Sequence, residues 1–569
     1  VTPSDLIPSI AWLRHYQREW LRPDTIAGLT AAAVVIPKAM AYAAIAGLPL
    51  QVGLYTAIVP MVVYALLGTS RPLSVSTTTT IAILAAAELG RAVPDGDAGA
   101  LIVASATLAM LVGVTLVAAA VLRFGFVADF ISEPVLTGFK SGIGLVIVVD
   151  QIPKLLGVHI EKAGFFRDLA AIAGQLPTLS IVTFALAVLL LVLIFGLERF
   201  LPSVPAPLVA VALAIAASGL LSLGDAGVAT VGSIPSGLPT LVMPRLDLVR
   251  EMWPAAAGIA LMSFTETIAA ARAFGKLDEP RPAPNQELLA VGLGNIAGGM
   301  LGAMAAGGGT TQTAVNRKAG ARTQVAELVT AAAALATLLL LAPVIALMPQ
   351  AALAAVVVAY SIDLIKPAEF GDIRRVRSLE FRWALIAFAG VVLLGTLNGI
   401  VVAVIVSLLA LAQQAYNPPV YAMGRKRGAQ VFRALSPEHP DDETWPGLLI
   451  LRAEGRLFFA NAQRVADKMR PLIMQAKPTV VLLDCSAITD IEYTAVKMLT
   501  EAEEKLRNNG VAVWLAALNL EALSVVQRSK LGNMLGRERM FFNVQAAVER
   551  YEQLGASGAA ALSMQSERK

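Results

Sequence analysis

Apolar stretches about 17–25 residues long recur along the first three quarters of the chain, and they decide what it can fold into. Each is long enough to cross the roughly 30 Å hydrocarbon layer of a bilayer as a helix. Two short segments break the pattern, PLSVSTTTTIAI at 72–83 and GGGTTQTAVN at 307–316. Both are rich in hydroxyls and glycine, poor in helix formers, and too short to span. Backbone at membrane depth has to satisfy its own polar groups, so such segments must line a cavity or lie buried in protein. When they occupy corresponding places in two halves of a chain, the pattern points to a substrate site built from broken helices.

The composition fits a membrane class: 56% of the 569 residues are hydrophobic and 15% charged, against roughly 25% charged in soluble domains. No alternating pattern suggests a lipid-facing barrel. The net charge is +4, but the basic residues punctuate apolar runs rather than gather on one soluble face, so nucleic acid is not an expected partner. Cys485 is the one cysteine and there are three histidines, so neither a disulfide nor a bound metal is expected. No tightly bound cofactor is expected. The opening has no basic region leading into a short apolar one with a cleavage site, so no cleaved leader is expected.

Five regions follow. Residues 1–24 read as an amphipathic cytoplasmic segment, with Trp12, Tyr16 and Trp20 beside Arg14, Arg18 and Arg22, a mixture suited to the membrane interface. Residues 25–415 hold fourteen segments: 25–43, 50–67, 76–89, 99–121, 130–149, 177–196, 205–222, 253–272, 286–302, 309–317, 323–346, 350–365, 383–395 and 397–414. With the N-terminus inside, cytoplasmic loops receive fourteen Lys and Arg, among them Arg71, Arg123, Arg317, Lys318 and Arg374, and external loops receive six. That is the bias membrane topology imposes, and it places both termini in the cytoplasm. The polar segments are third and tenth, each third in a set of seven. Seven is odd, so the two halves are expected to be inverted. Residues 416–446 read as a linker. From 447 to 553, LLILRAEG and RLFFA suggest a hairpin, and strands then alternate with helices in a small α/β domain. Residues 554–569 are expected to lack structure.

Glu266 stands out for chemistry, because a carboxylate inside an apolar run must be paired, hydrated, neutralised or facing a cavity. Ser263 shares its helical face. The pair can bind a coupling proton or Na⁺, or Glu266 can pair with a basic side chain of a neighbouring helix. The polar segments offer helix N-termini, which attract anions, with hydroxyls from Ser76, Thr77, Thr78, Thr310 and Thr311. Gly309 and its neighbours permit close backbone approach, and Gln312 can donate or accept. Hydroxyls that merely cap helices are the alternative. Lys38 and Lys140 lie in apolar runs and either face the cavity or reach back to an interface. Asn295 and Asn316 read as ties between helices. No phosphate loop, zinc motif or nucleophile elbow is present, so enzymatic activity is not expected.

VVIPKAMAYAAIAGLPLQVGLYTAIVPMVVYALLGTSRPLSVS resembles the N-terminal signature of the sulfate permease (SulP) family, the solute carrier 26 transporters. FTETIAAARAFG and GGGTTQTAVNRKAGARTQ resemble its eighth and tenth helices, and TVVLLDCSAITDIEYTAVKML the core of a STAS domain. The resemblance extends over 20–553. It implies an α-helical polytopic protein of seven-plus-seven inverted repeats in core and gate domains, elevator-like alternating access, a membrane homodimer and a cytosolic STAS domain. It implies an anion site between the third and tenth helices, facing the eighth. Two positions depart from the pattern. Gln312 stands where many members carry Arg. Tyr493, with Thr494 beside it, stands where soluble STAS regulators carry a phosphorylatable serine, which favours a docking or structural role. The expected function is H⁺- or Na⁺-coupled symport of sulfate, bicarbonate or a dicarboxylate across an inner or plasma membrane. The alternatives are a chloride–anion exchanger or channel, and a membrane-anchored STAS regulator with a cytosolic protein partner.

Overall fold

The computed structural model describes residues 8, 9, 13, 16–130, 132–160, 164–202, 204–232, 237–276 and 279–565. The chain divides into two compact units, residues 1–408 and 409–569. Trp12, Arg14 and Lys162 lie outside the described residues, as does the rest of the 1–7 opening.

All fourteen predicted segments contain a helix. They are α1 Leu21–Ile45, α2 Leu50–Leu67, α3 Thr79–Ala92, α4 Ala98–Val121, α5 Glu133–Leu156, α6 Ile181–Phe200 and α7 Ala206–Leu220. The second set is α8 Leu246–Phe274, α9 Pro284–Met300, α10 Thr310–Lys318, α11 Val325–Leu340, α12 Gln350–Ile362, α13 Ser378–Leu394 and α14 Thr396–Tyr416. With 14 and 9 residues, α3 and α10 extend only about 21 and 14 Å at 1.5 Å per residue. Neither can cross alone. Two further amphipathic helices, Phe165–Gln175 and Pro367–Val376, fall between the apolar segments. The start of α1 lies within the segment expected to be an interfacial N-terminus, because Asp24 ties it down. Its carboxylate accepts from the backbone N–H groups of Arg322 and Thr323, at 2.6 and 3.1 Å, and from the Tyr16 hydroxyl at 3.3 Å.

Helix packing repeats when seven is added to each number. α4 lies on α9 as α11 lies on α2, α8 lies on α3 as α1 lies on α10, and α5 lies on α13 as α12 lies on α6. One group contains α1–α4 with α8–α11. The other contains α5–α7 with α12–α14. Small residues let backbones meet at the crossings. Where α4 crosses α9, a Cβ at Gly113 would sit 2.6 Å from the Gly292 carbonyl oxygen. Between helix and half-helix, Val75–Ser76 (β1) pairs antiparallel with Gly307–Gly308 (β2), Val75 opposite Gly308 and Ser76 opposite Gly307.

The second unit has a six-stranded sheet in the order β4-β3-β5-β6-β7-β8: β3 Val420–Arg425, β4 Phe432–Ala434, β5 Leu448–Ala453, β6 Val480–Asp484, β7 Ala512–Ala516 and β8 Met540–Phe541. β5 to β8 are parallel, and β3 runs antiparallel to β5. The supposed linker therefore supplies two strands. Nor does RLFFA form a hairpin strand with β5: that edge of β5 is taken by β3, Leu457 makes a single bridge to Ile491, and Phe459 is 71% exposed. The last helix, Val544–Gln565, continues past a kink at Gly555 (φ 66°) into the segment expected to lack structure, where an alanine-rich run carries high helix propensity.

Two expectations concern this domain. Arg539 and Glu503 form a buried ion pair at 2.8 Å, their side chains 1% and 0% exposed. Arg539→Met, which leaves the buried glutamate only the longer contact to Arg507 Nε at 3.8 Å, is expected to destabilise the domain by about 3 kcal/mol, measured by urea unfolding of the full chain. A change below about 1 kcal/mol would argue against that burial. Burial pushes the Cys485 thiol up to about 12, and the thiolate is the reacting form. The native chain is therefore expected to resist maleimide at pH 8 and to take up one label once unfolded.

Candidate anion site

The two half-helices begin at a shared backbone bridge. Ser74 precedes β1, and its carbonyl accepts from Gly309 N and Gln312 Nε2, both at 3.0 Å. Ser76 Oγ donates to Gln312 Oε1 at 3.0 Å. β2 is held from the other side. Asn295 brackets Ala306, accepting from its N–H at 2.8 Å and donating to its carbonyl at 3.0 Å. Ser263 Oγ donates to the same carbonyl at 2.8 Å, and Thr267 Oγ1 accepts from Gly308 N at 2.8 Å. The N-termini of α3 and α10 thus start from one pair of bridged strands and line one cavity, and a helix N-terminus offers unpaired N–H groups and the positive end of its dipole.

Glu266 of α8 lies between them, 5% exposed. Thr78 Oγ1 donates to its Oε2 at 2.7 Å and Thr80 Oγ1 to its Oε1 at 2.9 Å. Lys140 Nζ of α5 stands 3.4 Å from Oε1. Thr78 also caps α3 by accepting from Ile81 N at 3.3 Å. Lys38 of α1 places its ammonium 4.0 Å from the centre of the Tyr360 ring, a cation–π contact. Thr79 Oγ1 donates to the Tyr42 hydroxyl at 2.8 Å.

These groups enclose a cavity of about 90 Å³ lined by Thr77, Thr78, Gly309, Thr310, Thr311 and Gln312, together with Lys38, Lys140 and Glu266. A larger cavity of about 470 Å³ shares Lys38, Tyr42, Thr79, Lys140, Thr310 and Thr311 and extends to Glu133, Asp363, Lys366 and Glu369. A third, of about 620 Å³, is lined by Ile83, Gly90, Val146, Asp150 and Val391 and shares no lining residue with the first two. Along α5 the change from one side to the other falls between Lys140 and Val146.

Of the residues singled out in the sequence, Glu266, Thr77, Thr78, Gly309, Thr310, Thr311 and Gln312 line the small cavity. Ser76 and Ser263 brace its backbone instead, and the Gln312 amide is engaged at both ends. Both lysines face the cavity. Asn295 ties its helix to the strand segment at Ala306 rather than to another helix, whereas Asn316 of α10 joins α11 by donating to Glu327 Oε1 at 3.1 Å and also donates to the Pro72 carbonyl at 3.2 Å. Tyr42, Thr80 and Tyr360 were not anticipated. Tyr42 is four residues from Lys38 and so shares its helical face, a signal present in the sequence, whereas Tyr360 reaches the site only through tertiary packing.

This is the fold of a membrane transporter with two inverted half-helices and an α/β appendage. Residues 21–387 match the sulfate permease family and residues 439–547 the STAS domain. A probable sulfate transporter of Mycobacterium tuberculosis is 33% identical over 97% of this chain and 99% of its own length. The chloroplastic sulfate transporter 4.1 of Arabidopsis thaliana is 29% identical over 96% and 82%. Among solved structures, SLC26A9 superposes with a TM-score of 0.87 at 22% identity, covering 97% of this chain and 93% of its own. The transmembrane domain of the cyanobacterial bicarbonate transporter BicA gives 0.58 at 28%, covering 69% and 98%. The chain belongs to the sulfate permease family of anion transporters and carries that family's C-terminal STAS domain.

Proposed function

We propose that the protein is a secondary active transporter of a small oxyanion or carboxylate, coupled to H⁺ or Na⁺, that works by elevator-like movement of one helix group against the other. The observation that carries the reading is the convergence of two half-helix N-termini on one cavity facing Glu266. The anion sits at the N-termini of α3 and α10, with Thr78, Thr310 and Thr311 offering hydroxyls. Glu266 takes the coupling proton or cation, held by Thr78 and Thr80. Substrates named for the relatives, sulfate and bicarbonate, both suit a cavity of about 90 Å³, as does a small dicarboxylate end-on. The bias of Lys and Arg supports cytoplasmic termini, and the family resemblance supports a homodimer whose STAS domains assemble it or bind a cytosolic partner.

The test is uptake of labelled sulfate, bicarbonate and fumarate into proteoliposomes under imposed H⁺ or Na⁺ gradients. Gradient-driven accumulation of one of them is the expected result. Uptake that needs an internal counter-anion and ignores both cations would make the protein an exchanger.

A further inference from the structure

We infer that Lys140, on the helix group opposite the half-helices, is the cation that reads the anion, and that it leaves Glu266 for the anion when the site fills. The inference rests on the anion-transport reading above and names the residue that supplies the charge.

A side-chain cation facing the cavity adds a full charge to the partial charges of the two helix N-termini. The candidate positions for a positive charge are 312, 38 and 140. Position 312 is glutamine, and its amide is committed to Ser74 O and Ser76 Oγ, each at 3.0 Å. Lys38 is 5% exposed and held over the Tyr360 ring. Lys140 differs in three ways. Its side chain is 24% exposed, so it faces the space a ligand would enter. Its contact to Glu266 is 3.4 Å, longer than the 2.7–2.9 Å of a well-made charged hydrogen bond. Glu266 retains Thr78 and Thr80 at 2.7 and 2.9 Å, so the carboxylate stays in place when the ammonium turns away.

An ammonium carries three donors, and Lys140 and the threonines of α3 and α10 line the same cavity. A ligand there meets N–H and hydroxyl donors on one wall and the ammonium on the other. A small oxyanion or carboxylate, with acceptor oxygens on more than one side, matches that arrangement. Because α5 packs with α12 and α13 while α8 packs with α3 and α4, the Lys140–Glu266 contact joins the two groups. Sliding one group along the other carries the lysine away from the half-helices, so anion affinity depends on their relative position.

The competing explanation is that Lys140 only neutralises a buried carboxylate. Thermal unfolding of the detergent-purified full chain separates the two, titrated with sulfate, bicarbonate or fumarate at fixed ionic strength. Wild type, K140Q, K140R, E266Q and K140Q/E266Q are compared. A charged hydrogen bond lost to a neutral side chain is expected to weaken the apparent Kd by about tenfold or more in K140Q, with K140R within a few-fold of wild type. The same weakening is expected in K140Q/E266Q relative to E266Q. That comparison stands even where K140Q alone does not fold, since the double variant buries no unpaired charge. Equal affinity of E266Q and K140Q/E266Q would overturn the assignment and leave the transport reading intact. Wild type stabilised by none of the three anions would contradict both.

Discussion

Glu266→Gln is expected to uncouple the protein. The amide keeps the size of the side chain and an acceptor oxygen for one of the Thr78 and Thr80 hydroxyls, which donate to separate carboxylate oxygens at 2.7 and 2.9 Å, while its NH2 can donate to the other, but it can neither take up a proton nor hold a cation by charge. Coupling between two bound species is a free energy shared by their sites, typically a factor of roughly 5 to 150. Accumulation driven by the productive cation gradient should fall by that order in proteoliposomes. Anion binding itself should survive or tighten, because a negative charge has been removed from beside the anion. Unchanged gradient-driven accumulation in a folded E266Q protein would exclude Glu266 from the coupling step.

Gly308→Ala is expected to be as damaging by a different route. A Cβ there would meet the Thr267 Cα at 2.7 Å and Leu73 Cδ1 at 3.1 Å, and the first of these is backbone that cannot rotate aside. β2 would have to lift from α8, loosening the Gly308 N–H bond to Thr267 Oγ1 and displacing the start of α10. Overpacking of this kind costs about 1–3 kcal/mol, and the half-helix N-terminus moves with it. Both the unfolding temperature and the stabilisation by anion should drop. Gly90→Ala in α3, where an added Cβ meets nothing within 4 Å, is the control and should be neutral or slightly stabilising. Equal behaviour of the two alanines would mean that the fit of β2 against α8 does not hold the site together.

The membrane fold was legible because its constraint is one-dimensional. Lipid demands long apolar helices, so the two segments that fail the demand announce themselves, and their third and tenth positions expose the repeat. Glu266 was legible for the same reason, as a charge in the wrong solvent. The partners of Glu266 were not. Thr80 looks like any other threonine in its run, and Lys140 is chosen by the crossing of α5 over the site rather than by anything near it in sequence. Ser263 shared the right helical face but turns to the Ala306 carbonyl, because helical spacing says which residues are neighbours without saying which neighbour has an acceptor to offer. In the second unit, the strands β3 and β4 were hidden in a charged, proline-bearing stretch. β4 forms the edge of the sheet and β3 lies next to it, and most of their residues are only partly buried, so apolar alternation is weak.

The most direct test of the central claim is to see the anion. Crystals of the full chain soaked in selenate or bromide locate a bound ion by its anomalous scattering, whatever the native substrate. A peak is expected in the small cavity, within hydrogen-bond reach of the first turns of α3 and α10 and of the Thr78 or Thr310 hydroxyl. A protein that accumulates anion in vesicles but places its peak elsewhere, with none between the two half-helices, would contradict the account.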